Sequence, residues 1–159
     1  MKKYRLFFIF VILSFVFFIT GCSSNTESVK QSATAKQVYG EDQTAIMTVD
    51  LTDGYSVEFS SGAAYFYKGD SIDDSEVLAH AFVISIADYD EEISYFQDND
   101  DLEGEFKDLE DGFYSYKTEE SIEYFFPTND DLYLKVVVGK EALDDADSIY
   151  TRFSAMAEE

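Results

Sequence analysis

Leu132-Tyr133-Leu134-Lys135-Val136-Val137-Val138-Gly139 decides the fold class. Leu132, Leu134, Val136 and Val138 fall at every second position, with Tyr133, Lys135 and Val137 between them. That period of two is a strand with one dry face. Gly139 breaks it, and Ala142, Leu143, Ala146, Ile149, Phe153 and Met156 then recur at three- and four-residue spacing. The spacing predicts a terminal helix of about four turns with one apolar stripe. Glu141, Asp144, Asp145 and Asp147 cluster toward its start, where the macrodipole favours anions.

Working back toward the N-terminus, more strands are predicted. Ser121 to Phe126 and Phe113 to Tyr116 flank Lys117-Thr118-Glu119-Glu120 and read as a hairpin. Phe106 and Leu109 fit a short helical turn that Gly112 ends, and Ile93, Tyr95 and Phe96 fit a short acidic helix within Tyr89 to Asp101. Val77 to Ala87 has apolar residues on both faces, as expected of a central strand. Ala63 to Lys68 is another strand, entered through Ser60-Ser61-Gly62. Ala45 to Leu51 and Tyr55 to Phe59 flank Asp53-Gly54 and read as a first hairpin. The expected fold is α+β: an antiparallel sheet of about six to seven strands, short helices in the middle, and a C-terminal amphipathic helix packed on one sheet face.

Residues 22–42 carry only Val29, Val38 and Tyr39 as sizeable apolar side chains, too few to bury a core. They read as a flexible tether with a root-mean-square reach of roughly 25 Å. Before them, Lys2, Lys3 and Arg5 precede an apolar run from Leu6 to Ile19 that only Ser14 interrupts. The run is too short for an ordinary spanning helix and suits a signal peptide. Ile19-Thr20-Gly21-Cys22 follows, with the only cysteine of the chain. It resembles the lipobox of bacterial lipoproteins. The resemblance implies cleavage before Cys22, a diacylglycerol thioether on its sulfur, and attachment to the extracytoplasmic face of the cell membrane. Expected boundaries are therefore 1–21 signal peptide, 22–42 tether and 43–159 a single domain. Lipidation would take the one thiol out of disulfide, metal and nucleophile chemistry.

The early stretch Asp53-Gly54-Tyr55-Ser56-Val57-Glu58-Phe59 and a late helix ending near Phe153 loosely resemble small PsbP/Mog1-like domains of some bacterial lipoproteins. The Pro-x-x-Trp often found after that strand is missing, and the chain has no Trp. The resemblance implies an architecture over residues 44–157 and carries no function.

All 33 acids and eight of the 11 bases lie beyond Cys22, a net charge of −25 there. Such an excess excludes a simple nucleic-acid binder, which needs clustered Lys and Arg. It is consistent with a solvated surface and with attraction of cations or of a basic protein or peptide.

Catalytic signals are sparse. His80 is the only histidine and there is no Gly-x-Ser-x-Gly. Glu91-Glu92 and Asp130-Asp131 are paired acids of the kind a hydrolase employs. Asn99, Asp101, Glu103, Gly104 and Glu110 match positions 1, 3, 5, 6 and 12 of an EF-hand loop in part, with Lys107 at position 9 against the match. These residues are the candidate site for a weakly held Ca²⁺; no other cofactor is expected. Tyr65, Tyr67, Tyr114 and Tyr116 lie on proposed strands and are candidates for a binding surface. The leading expectation is a non-catalytic, membrane-tethered binding or accessory domain. A small-ligand or cation-binding lipoprotein is the second reading, and a hydrolase using paired carboxylates the third.

Overall fold

The stretch around Val136 forms the middle strand of a seven-stranded antiparallel sheet. The computed structural model describes residues 32–39, 43–69, 72, 76–99, 101–128 and 132–158. The lipobox, the signal-peptide segment, tether residues 22–31 and Asp130-Asp131 lie outside them. In chain order the elements are β1 (Ser32–Tyr39), β2 (Gln43–Asp50), β3 (Tyr55–Ser60), β4 (Ala63–Lys68), β5 (Val77–Ile84), α1 (Ile86–Asp98), β6 (Glu105–Asp108), β7 (Tyr114–Lys117), β8 (Ser121–Pro127) and β9 (Tyr133–Gly139). A 3-10 helix (Lys140–Asp145), α2 (Ala146–Tyr150) and β10 (Phe153–Ala157) complete it. The large sheet runs β3-β4-β5-β9-β8-β7-β6 and a three-stranded sheet runs β1-β2-β10.

The alternation places the two faces of β9 as expected. Leu134, Val136 and Val138 are fully buried, and Tyr133, Lys135 and Val137 are half-buried on the other side. On the dry side, Ala64, Phe66, Ala79 and Ala81 form one cluster with Ala45, Met47 and Val49 of β2 and Phe153 and Ala155 of β10. The alanines leave room for the second sheet, and Phe66 and Met47 fill the space between. Each such large side chain contributes roughly 1.5–3 kcal/mol by leaving water. β5 lies between β4 and β9, the interior position its two apolar faces require.

α1 starts at Ile86, earlier than the sequence pattern suggests. Ser85 caps it: its hydroxyl accepts the Asp88 N–H at 3.2 Å, and the Asp88 carboxylate accepts the Ser85 N–H in return. That capping box satisfies two end groups and cuts β5 short at Ile84. The β3–β4 hairpin closes where expected, with Ser61 and Gly62 both at positive φ (52° and 79°). Two consecutive left-handed residues match the twist of the strands they join.

Four expectations are corrected. The helix through Met156 ends at Tyr150. Ala142, Ala146, Ile149 and Phe153 are all buried as the stripe requires, but the chain turns at Thr151-Arg152 and continues as β10 on the free edge of β2. Strand alternation then buries Phe153 and Ala155 and leaves Met156 exposed. The expected β2–β3 hairpin is a crossing between sheets, because β2 has β1 on one edge and β10 on the other. Asp53 and Gly54 (φ 72° and 80°) make that crossing, and Arg152 braces it. Its guanidinium donates to the Thr52 carbonyl at 3.1 Å and to Asp53 at 2.9 Å, and lies 4.6 Å from the Tyr55 ring centre. The tether is shorter than expected, since Ser32–Tyr39 pairs with β2 along its whole length. An edge strand needs little apolar bulk; Ala33 and Ala35 are only partly covered, and Gln37 alone is buried. Finally, Phe106 sits in strand β6 and not in a helical turn.

Candidate functional site

The wet face of the large sheet is only partly covered. α1 crosses one end of it, setting Tyr89 and Ile93 against Phe125 of β8. Tyr89 stacks on Tyr133 at 3.8 Å, and its hydroxyl donates to the Gly112 carbonyl at 2.5 Å. Burial, followed by the neighbouring Tyr114 and Tyr133, raises the Tyr89 pKa, so the phenol stays a donor. The helix is thereby pinned at its first turns. Its far turns overhang the sheet and leave a groove of about 450 Å³.

Glu91, Glu92, Tyr95 and Phe96 of α1 form one wall of the groove, with Leu102 at its end. Tyr116, Glu123 and Lys135 form the other wall, from β7, β8 and β9. Strand pairing explains the grouping: Tyr116 is opposite Glu123, and Glu123 is opposite Val137, one alternation from Lys135. Phe96 stacks on Tyr116 at 4.4 Å and meets Tyr95 edge-on at 5.7 Å. Tyr95 is 55% exposed.

Lys135 links the two walls. Its ammonium donates to Glu92 at 2.5 Å, lies 3.0 Å from Glu123 Oε2, and sits 5.1 Å from the Phe125 ring centre. Burial alone would lower its pKa; the hydrogen bond to Glu92 and the charge of Glu123 outweigh this, and the net shift is upward. Glu123 Oε2 is buried, with the Lys135 ammonium 3.0 Å away as its counter-charge.

His80 shares this sheet face on β5. Its ring neighbours are Phe82 at 5.3 Å and Tyr65 at 6.3 Å. Burial lowers its pKa, with Glu123 opposing and Lys135 adding to the shift.

The four tyrosines singled out in the sequence do not form one exposed patch. Tyr67 and Tyr116 are buried. Tyr65 is half-buried beside His80 on β4, with three strands between it and β7. Tyr114 packs beneath α1 against Tyr89 and Phe106. Tyr116 is the member that lines the groove. Its partners Tyr95, Phe96, Glu123 and Lys135 were not visible as a site, because the groove joins residues from α1, β7, β8 and β9. Ile93, Tyr95 and Phe96 were expected to share the inner stripe of the helix; Tyr95 is instead 55% exposed, because successive helix residues diverge by about 100° and Tyr95 and Phe96 cannot share one face.

The EF-hand alignment is corrected. Asn99 is the C-terminal cap of α1, and Asp101 and Glu103 lie in an exposed loop. The loop leads into β6 and not into an exiting helix. Four residues of extended chain, about 13 Å, separate that loop from Leu109, and Glu110 occupies a left-handed turn (φ 77°) beyond it. Gly104 serves packing: a Cβ there would lie 2.5 Å from the Tyr116 hydroxyl. Among the described residues no three His, Cys, Asp or Glu side chains are placed to hold a metal ion. Of the paired acids, Glu92 is bound to Lys135 and Glu91 stands exposed beside it.

A second depression of about 620 Å³ lies beyond Gly104, lined by Glu103, Glu119, Glu120, Lys117 and Thr118. None of its lining side chains is aromatic.

Comparison with family models, curated proteins and solved structures gives no match. The functional reading therefore rests on geometry and sequence.

Proposed function

We propose that this chain is a non-catalytic binding domain, held by lipid on Cys22 at the extracytoplasmic face of the cell membrane, and that the groove beneath α1 is its binding surface. One observation carries the reading: a groove of about 450 Å³ in which aromatic rings, Tyr95 among them exposed, and charged groups converge from four separate elements. A concave site of that size, with aromatic side chains beside convergent charged groups, has the make-up of a recognition site. The lipobox supports the anchor. Nine residues lie between Cys22 and Ser32, and the ten Cα steps from one to the other reach at most about 36 Å fully extended. The domain would then work close to the bilayer and not far out from it.

Photocrosslinking on intact cells tests the reading. A benzophenone amino acid replaces Tyr95 in the groove or, as control, Val38, which is 65% exposed on the other sheet. Adducts at 95 and none at 38 are expected. Equal labelling at both, or none at 95, would overturn the groove. For the anchor, Cys22→Ala should abolish lipid labelling and the mature, lipid-bearing form; unchanged labelling would refute it.

A further inference from the structure

We infer that the groove takes a lysine or arginine side chain from an extended segment of a basic protein. The inference rests on the groove being the binding surface.

Charge selects the class of occupant. Glu91, Glu92 and Glu123 face one cation, Lys135, so the walls carry a net charge of −2. The charge of Lys135 is already matched by Glu92 and Glu123, so the groove has no excess positive charge to hold an anion. A neutral apolar occupant would strip water from Glu91 without replacing its hydrogen bonds, a costly exchange. A cationic side chain meets both demands. It neutralises Glu91, which is exposed on the groove wall and has no cation of its own among the described ion pairs.

The aromatic wall agrees with this choice. Tyr95 presents an exposed ring beside the carboxylates, and Phe96 and Tyr116 are stacked behind it. An aliphatic stem ending in a cation packs its methylenes on such rings and places its charge against their faces. Arginine suits the site better than lysine, because a planar guanidinium stacks and donates in a fork at the same time.

The neighbouring surface points to a chain and not to a lone ammonium. Past the Gly104–Tyr116 contact the second depression is lined by Glu103, Glu119 and Glu120 against one cation, Lys117, with Glu120 also paired to Lys140. A peptide whose first basic residue fills the groove runs its next residues over that surface. A small free cation would not use it.

The test is peptide binding by the full lipidated chain in zwitterionic nanodiscs. The probe is an end-capped, fluorescein-labelled octapeptide of alternating Arg and Ser, with an octapeptide carrying citrulline for Arg as its uncharged isostere and spermine as a free polycation. The Arg peptide should bind, and citrulline should abolish binding. Glu91→Gln and Tyr95→Ala, both at exposed positions, should each weaken binding roughly two- to five-fold. Glu158→Gln, the same charge change on the other sheet, should leave it unaltered. Absence of Arg-peptide binding, or equal binding of the citrulline peptide, would overturn the ligand class while crosslinking at 95 still stood. An equal effect of Glu158→Gln would show diffuse attraction to an acidic surface and would also overturn the inference. So would spermine binding as tightly as the peptide.

Discussion

Lys135 has one ammonium and two carboxylate partners, on α1 and on β8. About a fifth of its side chain is exposed, so its pairs are neither fully screened nor fully buried. Lys135→Met would leave Glu123 without a counter-charge in a half-buried setting. The expected loss is about 1–3 kcal/mol, between the surface and buried limits. Urea melts at pH 7 measure it. Adding Glu123→Gln to Lys135→Met should recover part of the deficit; no recovery would mean that lost packing, not charge, is responsible. His80 supplies the second residue-scale prediction. Phe82 and Tyr65 desolvate its ring, with Glu123 and Lys135 as the nearest charges. Its pKa in the folded protein lies below the ordinary value of about 6.5. The unfolded chain then takes up the proton first as the pH falls. Stability tied to His80 is full above about pH 6.5, is lost progressively below it, and levels off beneath the folded pKa. An NMR titration of the imidazole that gave 6.5 or higher would contradict the burial account.

At the scale of elements, the C-terminal segment shows what periodicity conveys. Ala142, Ala146, Ile149 and Phe153 point inward, as a helical stripe requires, yet only Ala146–Tyr150 is α-helical. The stripe reports which side chains meet the core; it is blind to an open edge on β2 that draws the chain into a strand. The same blindness affects Asp53-Gly54, a hairpin signal by composition that joins two sheets because both edges of β2 are taken. Local signals within one sheet were legible: the β3–β4 and β7–β8 hairpins and the faces of β9 follow from alternation and turn residues alone. The tether was over-extended because an edge strand such as β1 buries almost nothing and so looks like linker. The groove was illegible for a related reason, since its walls are distant in sequence and meet only once the strand order is known. Met156 gives a direct check. On a four-turn helix it would share the buried face with Ile149 and Phe153; on β10 it is 55% exposed and Ala155 is buried. Met156→Glu should therefore cost less than about 0.5 kcal/mol. Ala155→Glu should cost several-fold more, or abolish cooperative folding, by placing a carboxylate in the core. Paired urea melts decide it, and the opposite ranking would restore the helix.

On the whole-molecule scale, the charge excess and the two-sheet core act against each other. Five described cations are already in ion pairs, with Glu158, Glu105, Glu92 and Glu123, Glu120 and Asp53 as partners. With 33 acids against 11 bases the excess cannot be paired off, and the folded domain gathers that charge into a smaller volume than the unfolded chain does. Self-repulsion on that scale destabilises the compact state. Salt screens it: the Debye length falls from about 30 Å at 0.01 M to about 3 Å at 1 M. Screening also weakens the exposed ion pairs, but such pairs contribute at most about 1 kcal/mol each and few are present. The repulsive term is the larger of the two. The melting temperature should accordingly rise, by an amount of order 5 °C, between 0.02 and 0.5 M NaCl at pH 7. Sodium chloride should do as well as an equal ionic strength of MgCl₂ or CaCl₂ if screening alone is at work. A Ca²⁺-specific rise at millimolar concentration would mark a bound ion, and a melting temperature that fell with salt would mean that the ion pairs outweigh the repulsion. The same screening should weaken a basic peptide in the groove. Salt is thus expected to move stability and binding in opposite directions, which neither a purely structural role for the acids nor a purely apolar groove would produce.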